Sequence, residues 1–305
     1  MSLFTGSGVA LVTPFHEDGS INYEKLGELV EFQLKNGSDA LIICGVTGEA
    51  STLVADEHIE AIRAAVSAAR GYERSRQTSD PKKPVPIIAS TGGNFTEYSM
   101  KLCARAQEAG ADGLMLTAPY YNKTTRKGLM EHFAKLAASA DLPIIIYNAP
   151  ARTGFNVTPK MAKAFAGIPN IVGINEASGN IAQIAEIIEM CGDGIDVYAG
   201  GDDYVIPVMS LGGKGAISDA ANIIPGQMRE MTAKYISGDV KQAAKLQIGM
   251  LGLLRALSCE ISPIPVKTAL NIMGFNVGGF RLPLTSMDPA NEALLREAMK
   301  DCQLI

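Results

Sequence analysis

Polar side chains that can bind or activate a small acid follow several short apolar segments of this 305-residue chain. Tyr147 lies near the end of one segment, Arg152 comes five residues later, and Tyr121 follows another segment. An arginine can form charge-assisted hydrogen bonds to a substrate carboxylate, and a tyrosine can relay protons. Each residue is a weak signal alone, because a surface arginine in contact with solvent, or a core tyrosine with a hydrogen-bonded hydroxyl, would look the same in the sequence.

A glycine-flanked turn, Gly45-Val46-Thr47-Gly48-Glu49, follows a further apolar segment. Its backbone N–H groups could hold a carboxylate or another small anion. An ordinary connection between a strand and a helix is the competing interpretation. Because the turn, the tyrosines and the arginine all follow apolar segments, together they predict a site for a keto acid.

The apolar segments that precede these residues predict eight parallel strands. They lack hydrophobic/polar alternation, which is typical of strands buried on both faces. Amphipathic stretches separate them without a glycine-rich nucleotide fingerprint, which favours a closed (β/α)8 TIM barrel over an open sheet. Catalytic side chains of such barrels gather at the C-terminal ends of the strands. The predicted strands cover residues 8–15, 40–45, 85–91, 113–119, 143–150, 171–177, 197–201 and 215–220.

The remaining segments predict helices and one surface loop. Helical periodicity continues beyond the eighth unit, so we expect a C-terminal helical appendage. We interpret the chain as a single domain, with residues 1–223 as the barrel and 224–305 as its last helix and the appended helices. The polar segment 71–84 is predicted to be an inserted loop at the end of the barrel away from the site. The predicted helices are Tyr23–Lys35, His58–Ala69, Glu97–Ala109, Gly128–Ala140, Pro159–Ala166, Ile181–Cys191, Val240–Ser258, Pro265–Met273 and Ala290–Asp301.

Composition narrows the functional class. A formal net charge of −5 argues against an electrostatic surface for nucleic acid or anionic membrane. Five widely spaced cysteines without CxxC spacing and three scattered histidines predict neither a disulfide framework nor a metal site. No basic leader and no apolar run of about 20 residues occurs, so we expect a cytoplasmic protein. We also expect no cofactor.

Five motifs occur along the chain: GxTGE (45–49), PYYN (119–122), YNxPxRTG (147–154), xEASGN (175–180) and PIPVK (263–267). Their order and spacing resemble the dihydrodipicolinate synthase and N-acetylneuraminate lyase family from about Phe4 to Pro283. The stretches around the second and third motifs, APYYNK and IIYNAPARTG, resemble the synthase branch more closely. The resemblance implies a TIM-barrel lyase that condenses pyruvate with an aldehyde, aspartate β-semialdehyde, in lysine biosynthesis. It also implies a homotetramer built as a dimer of dimers.

The resemblance assigns a role to each candidate residue. Pyruvate in the family forms an imine with a lysine on the sixth strand, which is covalent amine catalysis. Tyr147 would relay protons beside that imine, and Tyr121 would reach across a dimer contact into a neighbour's relay. The substrates would be bound by Thr47, Gly48, Arg152, Gly200 and Ile217.

Two positions depart from that pattern. The lysine position is Asn175, and an amide nitrogen cannot add to a ketone because its lone pair is delocalised into the carbonyl. Val46 stands where the family has a relay threonine or serine. Two changes in one relay favour natural divergence over a single engineered replacement. A substitute amine is not expected from the other lysines considered: Lys123, Lys214 and Lys267.

Three functional hypotheses follow. The first is a pyruvate-dependent synthase of the family type, impaired by Asn175 and Val46. The second is an inactive homologue that binds a keto acid or regulates an active paralogue within a mixed oligomer. The third is a lyase that uses pyruvate without covalent catalysis, stabilising an enolate with the Gly48 turn and Tyr147.

Overall fold

Eight parallel strands close into a barrel in the computed structural model, which describes residues 2–75 and 84–305. Each strand pairs with its sequence neighbours, and the first pairs with the last, so the predicted (β/α)8 barrel is confirmed. The strands are β1 (Gly6–Ala10), β2 (Ala40–Ile43), β3 (Ile87–Ser90), β4 (Gly113–Thr117), β5 (Ile144–Asn148), β6 (Ile171–Glu176), β7 (Asp196–Ala199) and β8 (Gly215–Ser218).

Both faces of the strands are buried, which explains the missing alternation in the sequence. In β2, Ala40 and Ile42 point into the barrel, while Leu41 and Ile43 pack against the outer helices. The barrel interior is filled by side chains, and Phe4 stacks on Tyr198 with ring centroids 4.4 Å apart. The Tyr198 hydroxyl donates to the Phe4 carbonyl at 2.8 Å. Inside the described barrel, this packing leaves space for a ligand at the mouth.

Thirteen α-helices lie in the described parts of the chain. The early helices cover the barrel, and the last four extend beyond the eighth strand–helix unit. They are α1 (Tyr23–Lys35), α2 (Ala55–Ser75), α3 (Thr96–Glu108), α4 (Arg126–Ala137), α5 (Pro150–Thr153), α6 (Pro159–Phe165), α7 (Ile181–Cys191), α8 (Val205–Ser210), α9 (Pro225–Ile236), α10 (Val240–Gly249), α11 (Leu251–Leu257), α12 (Ile264–Ile272) and α13 (Pro289–Asp301).

The structure corrects several predicted boundaries. The predicted strand 143–150 ends at Asn148, since Pro150 begins α5, where a proline without an N–H fits the first helical turn. The predicted helix Val240–Ser258 divides at Met250 into α10 and α11. Residues 71–75 of the predicted loop extend α2, and residues 76–83 lie outside the described chain. None of the described helices has the length and apolar character needed to cross a membrane.

Candidate functional site

A small cavity of about 50 Å³ lies at the C-terminal ends of the strands. Residues from seven of the eight strands or from the connections that follow them form its wall. Barrels of this type hold their ligands at this end. The lining residues are Ala10, Gly45, Val46, Thr47, Met115, Tyr147, Arg152, Asn175, Gly200, Ile217 and Asp219. Seven predicted site residues therefore meet here: Val46, Thr47, Tyr147, Arg152, Asn175, Gly200 and Ile217.

Tyr147 and Asn175 are direct neighbours across the β5–β6 pair. Parallel strands lie about 4.8 Å apart, so both side chains face the same small space. The residues that follow them, Asn148 and Glu176, point to the opposite face, because side chains alternate along a strand. Asn148 Nδ2 donates to Glu176 Oε2 at 2.8 Å behind the cavity. The alternation therefore fixes which pair enters the site.

The buried Glu176 carboxylate is held by neutral donors. The Ser178 N–H donates to Glu176 Oε1 at 2.8 Å, and Gln183 Nε2 donates to Oε2 at 3.2 Å. Together with Asn148, these bonds tie the end of β6 to β5 and α7. They fix the backbone on which Asn175 stands.

Gly200 brings the β7 end close to Asn175. A Cβ at this position would lie 2.8 Å from Asn175 Oδ1 and 2.6 Å from Ala177 Cβ. Both separations are shorter than real side chains adopt, so only glycine leaves Asn175 in its place.

Asn175 is 3% exposed and has unused hydrogen-bonding capacity. Its Oδ1 accepts no hydrogen bond from the described residues, and its Nδ2 has only the Met115 sulfur at 4.0 Å. Buried amides in folded proteins are normally paired. This amide is therefore available to a ligand in the cavity.

In the turn 45–49, Thr47 lines the cavity, and its backbone N–H has no partner in the described chain. Its side chain is engaged, because Thr47 Oγ1 donates to Asp219 Oδ1 at 2.5 Å. Thr13 Oγ1 donates to the Gly48 carbonyl at 2.6 Å and anchors the turn. Gly48 itself supports the turn and does not line the cavity.

The Glu49 carboxylate turns away from the cavity into a buried ion pair. Lys267 Nζ donates to Glu49 Oε1 at 2.7 Å, and both side chains are fully buried. The Arg281 N–H donates to Glu49 Oε2 at 3.2 Å. Burial lowers the pKa of Lys267, against the attraction of Glu49 that raises it. Helix α12 is thus connected to the turn that carries Thr47.

Tyr147 presents a neutral phenol to the cavity. Burial, with the negative charge of Asp219 adding to it, raises the pKa of Tyr147 to about 12, while Arg152 acts in the opposite direction. The hydroxyl makes no hydrogen bond to the described residues. Val46, beside it in the cavity wall, has no donor to offer. The phenol can therefore donate a hydrogen bond to a ligand, but no chain of hydroxyls leads away from it.

Arg152 supplies positive charge at the mouth. It lies in the short helix α5, is exposed, and has only a long hydrogen bond, 3.4 Å, from Nη2 to the Ser262 carbonyl. Its guanidinium forms no ion pair within 4.0 Å in the described chain. An arginine without a carboxylate partner can bind an incoming carboxylate.

Asp219 was missed by the sequence analysis. The predicted strand 215–220 included it, whereas β8 ends at Ser218 and Asp219 turns into the cavity. Its signal in the sequence is a polar residue at the end of the eighth apolar segment, like the polar residues at the ends of the other segments. Ala10 and Met115 were also missed, since nothing in their residue types signals a site.

Three lysines and one tyrosine lie outside the cavity. Tyr121 is 94% exposed and does not line it. Lys214 precedes β8 at the opposite end of the barrel, and Lys267 is paired with Glu49. Lys123 lies in the loop after β4 beside Gly154. Within residues 2–75 and 84–305, no lysine contributes to the cavity wall.

A larger hollow of about 520 Å³ lies among the C-terminal helices and loops. Arg296, its one cationic lining residue, is paired with Glu292 at 2.7 Å. The convergent polar groups at the barrel mouth therefore make the smaller cavity the functional candidate. No group of three potential metal ligands is found in the described residues.

Comparison with known proteins shows that the chain is similar to dihydrodipicolinate synthases over its whole length. The model of the dihydrodipicolinate synthetase family matches residues 3–302. A 4-hydroxy-tetrahydrodipicolinate synthase from Lachnoclostridium phytofermentans is 50% identical over 306 residues and covers all of both chains. The dihydrodipicolinate synthase from Cyanidioschyzon merolae with lysine bound is 36% identical, with a TM-score of 0.93 and complete coverage of both chains. The Acinetobacter baumannii enzyme complexed with pyruvate is 40% identical, with a TM-score of 0.92 and 99% coverage of both.

Proposed function

The chain belongs to the dihydrodipicolinate synthetase family, and we propose that it binds a small carboxylic acid, as the family name implies, but forms no Schiff base with it. The relatives carry the name 4-hydroxy-tetrahydrodipicolinate synthase, which denotes an enzyme that condenses pyruvate with aspartate β-semialdehyde. Our proposal separates this chain from that activity. One observation carries it: the residue beside Tyr147 at the mouth of β6 is Asn175.

The chemistry behind the proposal is the nucleophile. An imine forms when an amine lone pair attacks a ketone and water leaves, and a carboxamide has no such lone pair. Neighbouring charges can tune the pKa of an amine, but they cannot turn an amide into one. The described lysines lie outside the cavity wall, so none of them supports a relocated imine.

The rest of the cavity supports binding. The unpartnered Thr47 N–H, the Arg152 guanidinium and the neutral Tyr147 phenol can each donate to a carboxylate or carbonyl oxygen. A volume of about 50 Å³ holds roughly three to five water-sized groups, which suits a three-carbon acid. We assign substrate binding to Thr47, Arg152, Gly200 and Ile217, with Gly48 supporting the turn.

The test is a condensation assay with pyruvate and aspartate β-semialdehyde. We expect no turnover above the blank for the unmodified chain, because no imine forms. Asn175→Lys should allow the imine, and the further change Val46→Thr should raise the rate by restoring the relay hydroxyl. Asn175→Gln serves as the control that keeps an amide. Ordinary synthase turnover by the unmodified chain would contradict the proposal.

We further propose that the chain assembles through the surface around Tyr121. The Asn122 side chain donates to the Asn94 carbonyl at 2.9 Å, which brings this loop beside the segment 94–98. Tyr98 on that segment lines a hollow together with Ala55. A group of exposed apolar side chains is typical of an interface. This supports the expected dimer of dimers, in which Tyr121 would enter a neighbouring site. A mixed oligomer with an active paralogue would use the same surface. These exposed residues are Val54, Phe95, Tyr98, Tyr120 and Tyr121.

A further inference from the structure

Asp219 places a carboxylate in the wall of the cavity without a cation beside it. Its two oxygens accept from neutral hydroxyls, Oδ1 from Thr47 at 2.5 Å and Oδ2 from Ser262 at 2.7 Å. No arginine, lysine or histidine nitrogen of the described chain lies within 4.0 Å of it. Neutral donors orient the carboxylate but leave its charge uncompensated.

A second acidic group strengthens the negative end of the site. Asp202 lies close behind Asp219, and its Oδ2 accepts from the Ala220 N–H at 2.9 Å. Burial raises the pKa of Asp202 to about 6, and the charge of Asp219 adds to the rise. The cavity wall on the β7–β8 side therefore attracts positive charge.

The Asn175 amide gives an independent sign of a ligand. It is almost fully buried, lines the same cavity, and its Oδ1 accepts nothing from the described residues. The carbonyl oxygen of an amide accepts hydrogen bonds from ammonium groups. Asp219 and Asn175 thus offer two acceptors to one small cationic group.

The remaining polar groups of the cavity offer donors instead. The Thr47 N–H is unpartnered, and the Arg152 guanidinium has no carboxylate in the described chain. Acceptors and donors therefore meet in a space of about 50 Å³, enough for roughly three to five water-sized groups. A ligand that carries a carboxylate and an ammonium group on one carbon atom would satisfy both sets.

We propose that this cavity selects a small α-amino acid. The carboxylate would bind the Thr47 N–H and Arg152, while the ammonium group would bind the Asp219 carboxylate and Asn175 Oδ1. The inference rests on the proposed non-covalent site and adds its ligand class. It also gives a reason for Asn175 beside Asp219, since a lysine at position 175 would bring a competing cation to the same acceptors.

Three acids of equal carbon skeleton test the selectivity. L-Alanine, pyruvate and L-lactate differ only in the group at the second carbon: ammonium, keto or hydroxyl. Isothermal titration calorimetry at pH 7 should give a Kd for L-alanine at least about tenfold below the other two, because hydrogen bonds to charged groups are the strong ones. Tighter binding of pyruvate or L-lactate, or no binding of L-alanine, would overturn the inference.

A charge-removing variant identifies the cause. Asp219→Asn keeps the shape and can keep a hydrogen bond with Thr47, so the Kd of L-alanine should rise about tenfold or more while that of pyruvate does not rise. Asp203→Asn, an exposed neighbour outside the cavity wall, is the matched control and should change neither. A preference for L-alanine that survives Asp219→Asn would overturn the assignment. A failure of the proposed function would be seen separately, as covalent trapping of pyruvate by the unmodified chain.

Discussion

Replacing Lys267 tests how the C-terminal helices support the site. Its ammonium is fully buried, donates to Glu49 at 2.7 Å and to the Gly279 carbonyl at 2.5 Å, and lies 4.4 Å from the Phe15 ring centroid. Lys267→Met would remove the cation and leave the Glu49 carboxylate buried without a charge partner.

The expected cost is about 3–5 kcal/mol of unfolding free energy, since breaking a buried pair leaves an uncompensated charge. Unfolding entropy of about 2.1 cal/mol/K per residue gives about 0.64 kcal/mol/K for 305 residues. The midpoint temperature should therefore fall by about 5–8 °C. Because Glu49 ends the turn that carries Thr47, ligand binding should weaken as well.

The assay is thermal unfolding followed by circular dichroism and by calorimetry, whose agreement would also support the single-domain interpretation. Lys245→Met, an exposed lysine on α10, is the control and should change little. In the double variant Glu49→Gln, Lys267→Met, the loss should be smaller than the sum of the single losses by about 1–3 kcal/mol. A loss below about 1 kcal/mol for Lys267→Met would refute the reasoning.

Three further predictions concern pH, packing and assembly. Burial lowers the pKa of His132 to about 4, below its unfolded value near 6.5, so its stabilising contribution is complete above pH 6.5 and is lost as the pH falls towards 4. His132→Gln should therefore reduce the stability lost between pH 7 and pH 5 by about 1–2 kcal/mol in urea titrations; an unchanged loss would contradict this. Gly200→Ala should displace Asn175, destabilise the fold by about 1–3 kcal/mol and weaken ligand binding, whereas Gly252→Ala on α11, where nothing lies within 4 Å, should stabilise slightly. Light scattering should give the mass of a tetramer for the unmodified chain and a smaller mass for Tyr121→Arg. A monomeric mass for the unmodified chain at micromolar concentration would contradict the assigned surface.

Residue patterns predicted the barrel because its strands and helices have separate physical signals. Continuous apolar segments indicated strands buried on both faces, and the spacing of Tyr23–Lys35 gave α1 with both ends correct. The strand ends were predicted too late, since apolar residues such as Leu11 and Val12 remain buried after the strand ends. Burial and strand pairing are different properties, and only the first is visible in residue type.

The candidate site was only partly predictable for a similar reason. Polar residues at or just after the strand ends identified Tyr147, Asn175 and Arg152, and the barrel geometry brings them together. The ion pair between Glu49 and Lys267 joins positions 218 residues apart, and no local pattern signals it. Asp219 was hidden inside an overlong predicted strand. Its pairing with Thr47 changes the interpretation of that threonine, whose hydroxyl proton is already donated.

Trapping with pyruvate and borohydride tests the absence of an imine most directly. The intact mass of the unmodified chain should stay unchanged, and Asn175→Lys should gain one pyruvate-derived adduct at residue 175. An adduct on the unmodified chain, mapped by peptide mass to a lysine, would contradict the account and identify the amine that performs the chemistry.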